Sequence, residues 1–203
     1  MKCSEIITIL EELSPKQYAS SWDNVGLLVG RRDRDIRTIM ISLDASRHVV
    51  DEAVKKKVDM LVTHHPMIFS SVKQINEDDY VTDKILSLAE NGISYYAMHT
   101  NFDTVGGMGE LAAGPRYLDL TDTVPLVFES DDIQGMGRGG ILPRPMTGEE
   151  AANYVKQRFG LSFVMLYQNK ADRERVFDKI AVLPGSGKSE ACEVKRLGYD
   201  LYL

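Results

Sequence analysis

The chain has 203 residues, a formal net charge of −6, 43% hydrophobic and 27% charged residues. That length suits one large domain or two small ones, and the apolar share suffices for a buried core. The acidic balance argues against a nucleic-acid binder, and no apolar run approaches the roughly eighteen residues of a membrane span.

The first fifteen residues, MKCSEIITILEELSP, carry acidic residues inside the apolar run and have no small-residue cleavage site. They read as an amphipathic helix over 4–13 and not as a signal peptide, with Ser4 as N-cap and Pro15 as the stop. The two cysteines, Cys3 and Cys192, show no metal-type spacing, and a reducing cytoplasm is the expected compartment. SWDNVGLLVG (21–30) reads as a Gly-punctuated loop entering a short strand; in it Trp22 is the only tryptophan, and no chemistry is assigned to the loop.

Residues 38–99 alternate. TIMISLD (38–44) is apolar and β-branched, as a buried strand is. RHVVDEAVKKK (47–57) places Val49, Val50, Ala53 and Val54 on one helical face. DMLVTH (59–64) is a second strand, 81–92 a helix ending at Gly92, and ISYYAMH (93–99) a third strand. This is the pattern of a parallel sheet with crossover helices. Further on, a Gly-containing helix is expected over 106–117, with short strands around Thr123–Phe128 and Gly139–Leu142. Thr147 and Glu150 form a T-x-x-E capping box opening a helix to about Phe159. FVMLY (163–167) and KIAVL (179–183) are strand-like, Ser189–Leu197 helical, and YDLYL (199–203) a last strand. A soft boundary falls between about 120 and 145. PGSGKS (184–189) resembles a phosphate loop, but Val182 stands where that pattern needs Gly; it reads as a strand-to-helix turn whose N–H groups, with Lys188, could meet an anion.

In a parallel sheet, functional groups gather beyond the C-terminal strand ends. Here the first strand ends in Asp44, the second in His64-His65, the third in His99-Thr100-Asn101-Phe102-Asp103. Imidazole and carboxylate are ligands for zinc, iron, manganese or nickel. Two adjacent histidines past a strand can splay toward different ions, and Pro66 restrains His65 toward extended backbone. Against this stands the plainer reading of packed or solvated histidines; the repeated chemistry of HTNFD at the same sheet edge favours the metal. Asp44 is either a residue supporting the ligands or the N-cap of the next helix. His48, near a helix start, is assigned to the surface.

SWDNVGLLVG, VTHHPMIF, HTNFD, GRGGILPRPMT and AVLPGSGKS, in this order, resemble the Nif-three-like family, also labelled GTP cyclohydrolase 1 type 2 homologues. The resemblance runs along essentially the whole chain. It implies an α/β fold of two interlinked lobes with partly parallel sheets flanked by helices: residues 1–120 the N-terminal lobe carrying the ligands, 121–203 the second. It implies a toroidal homo-hexamer and a centre of two divalent ions held by His64, His65 and Asp103, with His99 beside them as a supporting or substrate-facing group; in a hydrolase His99 is the expected catalytic proton carrier. It also implies a later His and Glu completing the site. No His follows His99, and the chain stops at Leu203 within what reads as a strand, so the C-terminal part of the family's fold is expected to be missing. Two functions follow: a metal-dependent hydrolase of a small or nucleotide substrate, or a metal-binding scaffold without turnover. Nucleic acid in a ring cavity is the weaker third.

Overall fold

The computed structural model describes residues 1–126 and 135–203. The chain forms two compact units, Met1–Phe102 and Asp103–Leu203.

The first unit contains helix α1 (Cys3–Leu13), strand β1 (Gly26–Val29), strand β2 (Ile39–Ser42), helix α2 (Arg47–Lys55), strand β3 (Met60–Thr63), helix α3 (Tyr80–Glu90) and strand β4 (Ser94–Ala97). Its sheet has the order β1-β4-β3-β2. β2, β3 and β4 run parallel and β1 is antiparallel to β4. Successive side chains of a strand point to opposite faces. Leu61 and Tyr95 therefore pack with Val50, Ala53, Ile85 and Leu88 of α2 and α3. Met60, Val62 and Tyr96 pack with Cys3 and Ile7 of α1. Both faces of β3 and β4 are buried, which explains their unbroken apolar runs.

β2 departs from the expected buried strand. It is the sheet edge, and its outward residues Ile39 and Ile41 are 43% and 79% exposed. Composition reports β propensity, not position in the sheet. α1 begins one residue before the expected cap: Lys2 precedes it, and Glu5 Oε2 accepts the Lys2 backbone N–H at 2.5 Å. Ser4 lies within the helix, where its carbonyl accepts from Thr8 Oγ1. α3 is capped by Asp79, which accepts from Val81 N and Thr82 N, and Gly92 follows it with φ +63°.

Asp59, just before β3, ties the open edge to the sheet. Its carboxylate accepts from Arg37 N, Thr38 N and Thr38 Oγ1 at 2.9–3.0 Å. The Arg37 bond, helped by Thr38, outweighs partial burial and holds the Asp59 carboxyl below its ordinary 3.8. A folded-state pKa below the unfolded one gives stability that is complete above the ordinary value and fades as pH falls through the folded one. Asp59→Ala is therefore expected to cost about 1 kcal/mol at pH 7. In urea melts the gap from wild type should shrink as the pH is lowered below that range.

The second unit contains helix α5 (Gly107–Ala113), strand β5 (Thr121–Pro125), strand β6 (Arg138–Thr147), helix α6 (Gly148–Arg158), strand β7 (Val176–Val182), helix α7 (Ala191–Arg196) and strand β8 (Leu201–Tyr202). Helix α4 (Thr100–Thr104) spans the junction between the units. The second sheet has the order β5-β6-β7-β8, antiparallel except for the β7/β8 pair. The expected strand around Thr123–Phe128 is β5; its tail at Val127 and Phe128 lies outside the described residues. β6 extends well past the expected Leu142. Its register with β7 shifts between Ile141 and Met146, where Pro143 and Pro145 have no N–H for the ladder. Residues 163–167 are not a strand: they join no ladder among the described residues, and Phe163, Met165 and Tyr167 are 71–86% exposed. In the PGSGKS segment, Gly187–Glu190 forms a 3₁₀ turn leading into α7.

The capping box is present, with Glu150 N donating to Thr147 Oγ1 at 3.3 Å and Thr147 N to Glu150 Oε2 at 2.8 Å. Thr147→Ala is expected to destabilise the protein by about 1 kcal/mol, read from denaturant midpoints at unchanged m-value. A cavity of about 310 Å³ in this unit is lined by Tyr167, Gln168, Arg175, Tyr199 and Tyr202 among others, and by no histidine.

Candidate metal centre

The three parallel strands end side by side and place their next residues at one edge of the first unit. His64 and His65 follow β3 directly, Asp44 lies two residues past β2, and His99 two residues past β4. The imidazole centroids are 4.9 Å apart for His64–His65, 5.2 Å for His64–His99 and 5.5 Å for His65–His99. One ring nitrogen of each lies within 4.8 Å of the other two.

Each ring is oriented by a hydrogen bond at Nδ1. His64 Nδ1 bonds Met98 O at 2.9 Å, His65 Nδ1 bonds Asp44 Oδ1 at 2.7 Å, and His99 Nδ1 bonds Asp23 Oδ1 at 3.0 Å. A carbonyl and two carboxylates only accept, so each Nδ1 carries the proton and in the neutral ring the lone pair sits on Nε2. This is how metal-binding histidines are held, with the second nitrogen fixing tautomer and ring angle. Burial, followed by the neighbouring His99 and His65 rings, lowers the pKa of His64 below its ordinary 6.5 and favours the neutral form a cation needs.

Asp44 does not cap α2. The N-cap of α2 is Ser46, whose Oγ accepts from Val49 N, while Asp44 reaches His65. His48 is exposed on α2. Asp103 lies in α4, four residues past His99, as the first residue of the second unit.

Two supporting residues were not visible in the sequence. Asp23 has a fully buried side chain. Besides His99 it accepts from Thr100 N at 3.0 Å and Thr100 Oγ1 at 2.5 Å. Burial pushes its pKa up, but the Thr100 and His99 hydrogen bonds outweigh it and hold the carboxyl below the ordinary 3.8. Its only signal was its place in a turn-forming Asp-Asn pair, 76 residues from His99. Tyr95, at the centre of β4, is the second. Its hydroxyl bonds Thr63 Oγ1 at 2.8 Å, donates to His65 O at 3.2 Å and accepts from Met67 N at 2.9 Å. It pins the His-His-Pro turn from beneath. Asn101 does the same for the next segment, accepting from His99 N and donating to Ser14 O. In HTNFD the His faces the cluster, while Thr100 and Asn101 are buried anchors.

The first sheet, parallel over β2, β3 and β4, thus ends in three converging histidines, each oriented by its own hydrogen-bond acceptor. The model of the Duf34/NIF3 (NGG1p interacting factor 3) family matches residues 1–203, and the chain belongs to that family. It is 34% identical over 207 residues to the GTP cyclohydrolase 1 type 2 homolog of Clostridium perfringens, covering 100% of this chain and 76% of the relative. Among solved structures it resembles Staphylococcus aureus hypothetical protein SA1388, with TM-score 0.86 and 25% identity over 100% of this chain and 78% of the other. It also resembles reduced HcgD from Methanocaldococcus jannaschii, with TM-score 0.75 and 31% identity over 100% and 77%. The mixed α/β fold with two helix-flanked sheets is the NIF3-like fold.

Proposed function

We propose that the protein holds divalent metal ions on His64, His65 and Asp103 and works as a metal-dependent hydrolase of a small substrate of nucleotide type. The observation that carries this is the common orientation of the three imidazoles, with every Nδ1 tied to an acceptor. The donor set, neutral imidazole plus carboxylate, fits zinc, iron, manganese or nickel. Asp103 and the pair of ions come from the family's pattern; the name carried by the Clostridium relative points to a nucleotide ring. When bound, such ions supply Lewis acidity, polarising a carbonyl or phosphoryl oxygen and acidifying water.

The chain's own residues then do three things. Asp44 and the Met98 carbonyl keep His65 and His64 in the ligand tautomer. His99 takes a proton on Nε2, and Asp23 holds the opposite N–H in place and stabilises the imidazolium so formed. Tyr95 and Asn101 keep both turns rigid, which limits the reorganisation a reaction would otherwise require. A toroidal hexamer in the cytoplasm belongs to the same proposal, and light scattering reads the assembly.

Elemental mass spectrometry on protein purified without chelator or nickel resin tests the metal. The expected result is stoichiometric metal and metal-dependent hydrolysis in a screen of nucleotides and phosphate esters. Absence of metal at micromolar supply overturns the reading. Metal with a blank hydrolysis screen replaces the hydrolase by a metal-binding scaffold.

A further inference from the structure

Two large aromatic rings stand open beside the histidine cluster. Trp22 and Phe69 are each 58% exposed. Their centroids are 5.8 Å apart with planes at 46°, and Trp22 also meets the His99 ring at 6.0 Å and 72°. A single exposed aromatic needs no explanation. Two such rings against a group of convergent polar side chains have the make-up of a ligand site.

The pair is also held in place. Trp22 is followed by Asp23, whose buried carboxylate is fastened to Thr100 and His99. Phe69 is preceded by Ile68, whose carbonyl accepts from Asn24 Nδ2 at 2.7 Å. One hydrogen bond therefore clamps the two loops together within two residues of each ring. The Trp22 loop is set by the same carboxylate that orients His99, so ring and imidazole keep a fixed relation.

We infer that Trp22 and Phe69 form a stacking subsite that seats a planar heteroaromatic ring of the substrate beside His99. The inference rests on the hydrolase reading and adds to it the residues that select the ring. Stacking on an aromatic face tolerates many ring identities. The subsite therefore selects for planarity, while the histidine cluster selects the atom that reacts. Neither ring offers a charge to a phosphate, so a phosphate without a base gains nothing here.

Trp22 is the only tryptophan, and its fluorescence reports the subsite directly. The probe is guanosine, with ribose and inorganic triphosphate as ring-free controls. Saturable quenching by guanosine and none by the controls is expected. By calorimetry, Trp22→Ala and Phe69→Ala should each weaken guanosine binding about ten-fold. Phe69→Tyr should restore it, and metal content should not change. Both side chains are exposed, so the variants are expected to fold. Unchanged emission with guanosine, or wild-type affinity in both alanine variants, overturns the subsite. Metal content is measured on the same samples: failed metal loading counts against the hydrolase reading, and failed ring binding at full metal content counts against the subsite alone.

Discussion

Replacing His65 with alanine is expected to remove bound metal and leave the fold standing. The His65 side chain is 48% exposed, and its hydrogen-bond partner Asp44 is 59% exposed. A surface truncation of this kind changes stability by about 0.5 kcal/mol at most. His64→Ala also loses the bond to Met98 O and should cost about 1 kcal/mol more. Metal affinity should respond on a different scale. Loss of a supporting carboxylate typically lowers affinity about 10–100-fold, and loss of the imidazole itself should exceed that. Asp44→Ala provides the calibration, since it leaves every imidazole in place and frees only the His65 ring to turn. The expected order of metal retention is wild type, then Asp44→Ala, then His65→Ala, at nearly equal melting temperatures. Hydrolysis should follow the same order. Equal metal content in wild type and His65→Ala would remove His65 from the ligand set.

The alternation over 38–99 was readable because each element carries its own period, and a parallel βαβ arrangement follows from that order. The strand ends were readable for the same reason: once β3 and β4 are placed, HisHisPro and HisThrAsn must emerge at one edge. What the pattern lacks is pairing. Ile39 and Ile41 looked buried because β-branched residues suit any strand, yet β2 has a neighbour on one side only. Residues 163–167 have strand composition, but an extended segment becomes a strand only when another backbone accepts its hydrogen bonds, and none does among the described residues. The histidines announced themselves by type; the groups that aim them did not. A buried Asp in a turn, a Tyr hydroxyl within an apolar strand and a backbone carbonyl acquire their roles only from tertiary contacts across 76, 30 and 34 residues of sequence.

Asp23 is where that hidden layer should matter most, because one carboxylate holds the turn and, on the proposed hydrolase reading, also serves the reaction. Its buried oxygens accept from Asn24 N, Thr100 N, Thr100 Oγ1 and His99 Nδ1. Asp23→Ala strands these donors, and Thr100 is 3% exposed, with little access to water. Each orphaned buried donor costs about 1–3 kcal/mol, so a loss of about 3 kcal/mol is expected. For a chain of this length that corresponds to a melting point roughly 6–12 °C lower. Asp23→Asn separates the two roles. The amide keeps the shape and one acceptor oxygen, so Thr100 can remain satisfied and most of the stability should return. It cannot offer a second acceptor, and its NH₂ turned toward His99 would favour a proton on Nε2 in place of Nδ1. A ring in that tautomer cannot take a proton on Nε2, and a tautomer error at such a base lowers kcat by roughly 10²–10⁴. The expected signature is therefore a split: Asp23→Ala loses fold and turnover, while Asp23→Asn keeps the melting temperature and the metal and loses turnover. If Asp23→Asn turned over like wild type, the carboxylate would be a structural anchor of the turn and His99 would not be the proton carrier.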